Sequence, residues 1–258
     1  MNLSAAIAEG LSRTDDLASA GVHGLGLVLA LAFGGYLLTR AQAPSARASV
    51  RILCAAWLVL YLASICYHVA DHGTFLRAVG LALDDGAIFV AIAGTYTPFA
   101  LLALRPAERK LALTVLWAGA AAGVAATVIA VGGGYVPWYQ PNVLFVCAMF
   151  GWGPALVYCR TLTLSLPQII GPLVLTSGLV YVAGAYFYEE HGLAWHHTYW
   201  HIAVVLGCLL DFTAIAMLLR APRRFAMPIA RVPGAGKRAS GEPGSLQPVR
   251  INPPRAKP

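Results

Sequence analysis

Apolar residues gather along the chain in seven blocks of near-spanning length, at 22–39, 51–70, 85–104, 111–131, 142–159, 169–188 and 199–219. A helix needs about 20 apolar residues to cross a bilayer core of roughly 30 Å, so the pattern predicts one spanning helix per block. Polar connections separate the blocks: TRAQAPSARASVR, DHGTFLRAVGLALD, RPAERK, GGGYVPWYQP, RTLTLSLPQ and EEHGLAWHH. Trp138, Tyr139, Trp195 and Tyr199 fall near block ends, where amphipathic aromatics favour the headgroup level. The predicted fold is all-α, an integral membrane bundle of seven transmembrane helices over 21–220. A short polar segment precedes it at 1–20. A disordered, basic, proline-rich tail follows at 221–258, with eight of the sixteen prolines.

Composition agrees: 59% of the 258 residues are hydrophobic and only 11% charged, against about 25% charged in soluble domains. A soluble enzyme, a disulfide-rich secreted module and a nucleic-acid-binding domain are all disfavoured. The five cysteines, Cys54, Cys66, Cys147, Cys159 and Cys208, lie in or beside apolar blocks without a CxxC spacing. They read as small packed hydrophobes rather than a disulfide framework or thiolate zinc site. The first twenty residues lack a basic start and carry Glu9, Asp15 and Asp16, unlike a cleavable signal peptide.

The net charge of +7 is unevenly placed. Sixteen Lys and Arg follow odd-numbered spans, the tail included, whereas only Arg13 and Arg77 lie on the other side. This asymmetry predicts cytoplasmic odd-numbered connections and tail, with the N-terminus outside. It accounts for the basic pI through topology and anionic lipid, with no nucleic acid partner.

Ionisable residues at membrane depth are expensive and mark functional sites. His68 ends the second span, Asp84 and Asp85 begin the third, and His197 and His201 begin the seventh, all on the N-terminal face. His197 and His201 are four apart, so both imidazoles project from one helix face, and Ser64 and His68 share that spacing. Three histidines at one depth beside a carboxylate suit Zn²⁺ with an open position, where water is acidified to a pKa of about 7. Asp84 would then accept or hold the water proton, and Ser64 would bind a developing oxyanion.

SICYH at 64–68, LDDGAIFVAIAGTYTPF at 83–99 and HHTYWH at 196–201 resemble the hemolysin III family, the bacterial branch of the progestin and adipoQ receptor superfamily. AGTYTP at 93–98 is the most specific string, VHGLG at 22–26 resembles the first-span opening, and GLVYVAGAYFY at 178–188 the sixth span. The resemblance covers residues 15–219 in order. It implies seven helices and a zinc ion held by His68, His197 and His201. It also places Asp84 near the metal and Ser64 at the family's SxxxH position. Ceramidase-like hydrolases in the wider superfamily imply a zinc-dependent hydrolase of lipid amides or esters, with membrane lipids as partners. A non-catalytic membrane-homeostasis or receptor-like protein with structural zinc, and a channel or cytolytic factor, are the alternatives.

Three departures stand out. Relatives read LDHSAI where this chain has LDDGAI, so Asp85 and Gly86 replace His and Ser. Asp211 replaces a seventh-span His, and the resemblance implies an N-inside orientation, opposite to the charge count. Asp211 lies ten residues beyond His201, about 15 Å deeper along a helix. It reads either as part of a proton or water path or as an acid bonded to a neighbouring helix, since no span holds a Lys or Arg to pair with it. The lysines are Lys110, Lys237 and Lys257, which excludes retinal Schiff-base chemistry. Pro98 and Pro154 sit inside spans and read as packing features, AGAAAGVAA at 118–126 as a helix-contact surface, and GGG at 132–134 as a turn.

Overall fold

The computed structural model describes residues 3–165 and 167–221. They form α1 (Leu3–Arg40), α2 (Pro44–Val69), α3 (Phe75–Ala103), α4 (Pro106–Gly132), α5 (Val136–Ser165), α6 (Ile170–Glu189) and α7 (His196–Arg220). The chain divides into a unit of Met1–Phe225 and one of Ala226–Pro258. The tail expected at 221–258 lies, from residue 222 onward, outside the described residues.

Six helices are long and apolar enough to cross a membrane, and α5 carries a shorter apolar stretch at Asn142–Pro154. The arrangement is a seven-helix membrane bundle. Leu25, Val28, Ile129, Phe145 and Leu179 are exposed on its outside, as suits a surface solvated by lipid rather than water.

Helix starts follow local chemistry. Pro44 and Pro106 open α2 and α4, where the missing N–H has no intrahelical partner to lose. Thr74 caps α3, its Oγ1 accepting from the Arg77 N–H at 3.1 Å. This cap starts α3 at Phe75, ten residues before the span expected at 85. The segment read as a connection is too polar to look like membrane, yet it is helical. Likewise α1 begins well before residue 22, and its candidate span runs from Leu11 to Arg40. Both extensions belong to the end of the bundle where the histidines lie. Gly73 and Gly134 have φ of +74°, the left-handed conformation that glycine adopts without a Cβ clash; Gly134 makes GGG a turn.

Between apolar helices in lipid, burial of hydrophobic area drives little association, so close packing and interhelical hydrogen bonds carry the contact. α2 packs between α1 and α3, α7 between α1 and α6, and α3 also meets α4, α5 and α7. A Cβ on Gly94 would stand 2.4 Å from the Ala56 Cβ, and one on Gly80 would stand 2.8 Å from the Tyr67 Cα, so α2 and α3 approach closely along their length. One face of the 118–126 run meets neighbouring helices, with Gly123 against Phe89 and Gly119 against Phe150, while Ala118, Ala121, Ala122, Ala125 and Ala126 are exposed.

The TYTP string is a three-way clamp. Trp57 Nε1 on α2 donates to Thr95 Oγ1 at 3.1 Å, Trp117 Nε1 on α4 donates to Thr97 Oγ1 at 3.2 Å, and Tyr96 OH donates to the Gly151 carbonyl of α5 at 2.5 Å. Thr97 Oγ1 also donates to the Ala93 carbonyl, next to the carbonyl of Gly94 that Pro98 leaves without its helical N–H. Pro98 itself is buried within α3.

Candidate metal centre

The N-terminal half of α1 ties together the two helix ends that carry histidines. The last carbonyls of α2 have no intrahelical partners. Arg13 donates to the carbonyls of His68, Val69 and Ala70 at 3.1–3.4 Å, and Arg77 to those of Tyr67 and Ala70 at 3.0 and 3.4 Å. Two guanidinium groups at a helix C-terminus also complement its dipole. At α7 the preceding residue, Trp195, is left-handed with φ 65° and supplies no side-chain cap. Asp15 of α1 caps it instead, its Oδ1 accepting from the Thr198 N–H at 3.0 Å and from Thr198 Oγ1 at 2.5 Å. His68 and the His197–His201 turn are thereby fastened to one element.

His68, His197 and His201 converge, one ligand nitrogen from each lying within 4.8 Å of the others. The His68 and His201 side chains are buried and His197 is partly buried. Nε2 of His201 is 3.0 Å from Nε2 of His68, and the His197 ring stacks on His201 with centroids 4.8 Å apart. Asp16 Oδ1 lies 2.7 Å from His68 Nδ1. A carboxylate there accepts, so the His68 proton sits on Nδ1 and its Nε2 lone pair faces His201. The close Nε2 pair is then bridged in one of two ways. One is a proton on His201 Nε2. The other is a cation taking both lone pairs, with the His201 proton on Nδ1, where His23 Nε2 at 2.8 Å accepts it. The donor set fits a metal ion, and imidazole nitrogen suits zinc, copper, iron and nickel alike.

The other expected residues lie at the same end. Asp84 is buried, with Oδ2 3.8 Å from His68 Nε2. It stands nine residues into α3 rather than at its start. Ser64 is fully buried; its Oγ makes no close hydrogen bond among the described residues and has the Asp84 carboxylate as its polar neighbour. Asp85 is buried beside Asp84. Asp211 is apart from this group: Oδ1 accepts from Ser177 Oγ at 2.7 Å and Oδ2 from Tyr181 OH at 3.0 Å, both on α6. Of the two readings of Asp211, the bond to a neighbouring helix is observed.

Sequence reasoning passed over Asp15, Asp16 and His23. Asp15 and Asp16 were counted only as acidic residues of a polar leader, and His23 only as part of VHGLG. The available signal was spacing: Asp16 and His23 are seven apart, two helical turns, and so share a face of α1.

The family model described as Haemolysin-III related matches residues 12–212. The chain is 28% identical over 204 residues to "Hemolysin-3 homolog" of Bacillus subtilis, covering 78% of this chain and 92% of the relative. It is 27% identical over 204 residues to "Hemolysin-3" of Bacillus cereus, covering 78% and 90%. The matched region contains every residue of the centre just described and all seven helices except the first turns of α1 and the last turns of α7. With such a match over most of its length, the chain belongs to the Haemolysin-III related family.

Proposed function

We propose that the three histidines hold zinc and that the protein hydrolyses an amide or ester bond of a membrane lipid. The observation that carries this reading is the unspent polar capacity around the centre. Ser64 Oγ makes no close hydrogen bond among the described residues and neighbours the Asp84 carboxylate, which stands 3.8 Å from His68 Nε2, too far for a direct bond and near enough to share a small reactant. Structural zinc sites are normally closed by four protein ligands, whereas three histidines leave a position open. Nitrogen donors 2.0–2.1 Å from a tetrahedral zinc stand about 3.3 Å apart, which the 3.0 Å His68–His201 pair approaches.

Zinc supplies Lewis-acid chemistry, polarising a carbonyl and easing loss of a proton from water near neutral pH. Asp84 takes that proton on Oδ2 as water adds to the lipid carbonyl, and returns it to the leaving nitrogen or oxygen as the C–N or C–O bond breaks. Ser64 donates its hydroxyl hydrogen to the oxyanion that forms in the transition state. The surrounding apolar helices deliver an acyl chain from the bilayer and limit competing water. The charge count puts this end of the bundle on the external face, and a C-terminal reporter fusion reads that orientation.

The test is to reconstitute the protein in lipid and measure zinc per chain and fatty acid released from a panel of long-chain amides and esters. The expected result is about one zinc per chain and release that stops on chelation and returns with zinc. Zinc without release across the panel sinks the hydrolase reading in favour of a structural metal. Metal-independent ion flux would favour a channel instead.

A further inference from the structure

Two side chains of α1 touch the outward nitrogens of the histidine group. Asp16 Oδ1 meets Nδ1 of His68 at 2.7 Å, and His23 Nε2 meets Nδ1 of His201 at 2.8 Å. An imidazole binds a metal through one nitrogen only if the other keeps the proton, and the acceptor on that other nitrogen sets both the tautomer and the ring plane. We propose that Asp16 and His23 are the positioning residues of the centre, holding the protons of His68 and His201 on Nδ1 so that both Nε2 atoms are presented to the metal.

The surroundings of each residue support the role. Asp16 is itself buried and anchored on its other side. Its Oδ2 lies 2.6 Å from His72 Nε2, and Arg77 Nη2 donates to Oδ1 at 2.9 Å. Arg77 also holds the end of α2, so the carboxylate and the helix bearing His68 share a clamp. A guanidinium only donates, so the Asp16 oxygen it meets is an acceptor. His23 is 2% exposed, edge-on to Tyr61 with ring centroids 5.1 Å apart. Its Nδ1 has no hydrogen-bond partner among the described residues. That is a cost with no structural return unless Nε2 is needed as an acceptor. Leaving a buried imidazole nitrogen unpaired costs stability, which a site needing only packing avoids with a leucine. α1 thus belongs to the centre although it contributes no metal ligand.

This inference rests on the histidine group holding a metal and not on the hydrolysis. The measurement is Zn²⁺ affinity of the full chain in detergent, by chelator competition, with the visible spectrum of the Co²⁺-loaded protein as a report on coordination. Thermal stability in excess chelator controls for folding. Asp16→Ala and His23→Leu are each expected to weaken zinc by about 10–100-fold and to alter the Co²⁺ spectrum. Asp16→Asn and His23→Gln keep an acceptor oxygen and recover most of that loss. Thr95→Val, whose bond to Trp57 lies outside the centre, leaves affinity within about twofold of wild type. Unchanged affinity in both Asp16→Ala and His23→Leu overturns the proposal while leaving the metal centre standing. So does a loss that tracks metal-free stability and is not recovered by the conservative variants. A wild type that binds no Zn²⁺ or Co²⁺ overturns this proposal and the zinc reading together, whereas metal without turnover overturns only the hydrolase.

Discussion

Two places in the bundle bury carboxylates among apolar helices, and they do so differently. At mid-bundle Asp211 is closed: each oxygen accepts from a neutral hydroxyl of α6, Ser177 on one side and Tyr181 on the other. The group ties α7 to α6 and faces nothing that lacks a partner. At the α1–α2–α3–α7 end, some polar contacts are left loose among the described residues. The His68–His201 nitrogens meet at 3.0 Å, Ser64 Oγ makes no close hydrogen bond, His23 Nδ1 has no partner, and Asp84 stands off from His68 at 3.8 Å. Satisfied polar groups in a membrane stabilise a helix pair; incompletely satisfied ones cost energy and persist where a ligand completes them. The sixth–seventh helix node reads as architecture, and the histidine end is where a metal ion could be held.

The comparison breaks most sharply on the ligands. His197→Ala/His201→Ala should abolish stoichiometric metal in purified protein while the chain stays membrane-inserted, as metal analysis and detergent extraction would show. Retained metal would mean that the donors lie elsewhere. Next come the two acids treated alike. Asp84→Asn should lower turnover by about 10²–10⁴-fold, the usual worth of a general acid–base group, with metal content unchanged. Asp211→Asn should leave metal and turnover near wild type and instead lower thermal stability, by about 1–3 kcal/mol, because one hydroxyl loses its acceptor. If Asp211→Asn stopped turnover or ion movement and left stability alone, the distinction between architecture and site would collapse. The smallest effect is expected from the TYTP clamp: Thr95→Val removes the Trp57 bond and should cost about 0.6 kcal/mol, the average for an interhelical hydrogen bond in a membrane. Melting curves of the metal-free protein would resolve it only in series with Thr97→Val.

Local signals located much of this. HHTYWH carries two histidines one helical turn apart, and SICYH pairs Ser64 with His68 at the same spacing, so the shared faces of these four candidates are legible from helical geometry. The position of Asp84 is not: the apolar pattern puts it at the start of a span, whereas α3 begins at the Thr74 cap and brings Asp84 to His68 from within the helix. Hydropathy could not place that boundary, because Arg77, Asp84 and Asp85 dilute the apolar signal of residues that are nonetheless helical. Arg13 and Arg77 were legible only as two charges on the sparsely basic side. In the structure both close the C-terminus of α2, a use that depends on which carbonyls lie within reach.

The sequence by itself determined the class of structure and the number of crossings, because the cost of exposing polar backbone and side chains to lipid is summed over some twenty residues and needs no partner. It determined the shared face of His197 and His201 on α7 as well, since one helical turn sets their spacing. Only the tertiary structure decided which groups complete them. Asp15 caps a helix 183 residues away, Asp16 orients His68 across 52, and His23 faces His201 across 178. Hydrogen bonds act over about 3 Å and carry no trace along the chain, so the surroundings of the metal centre exist only once α1 has packed between α2 and α7.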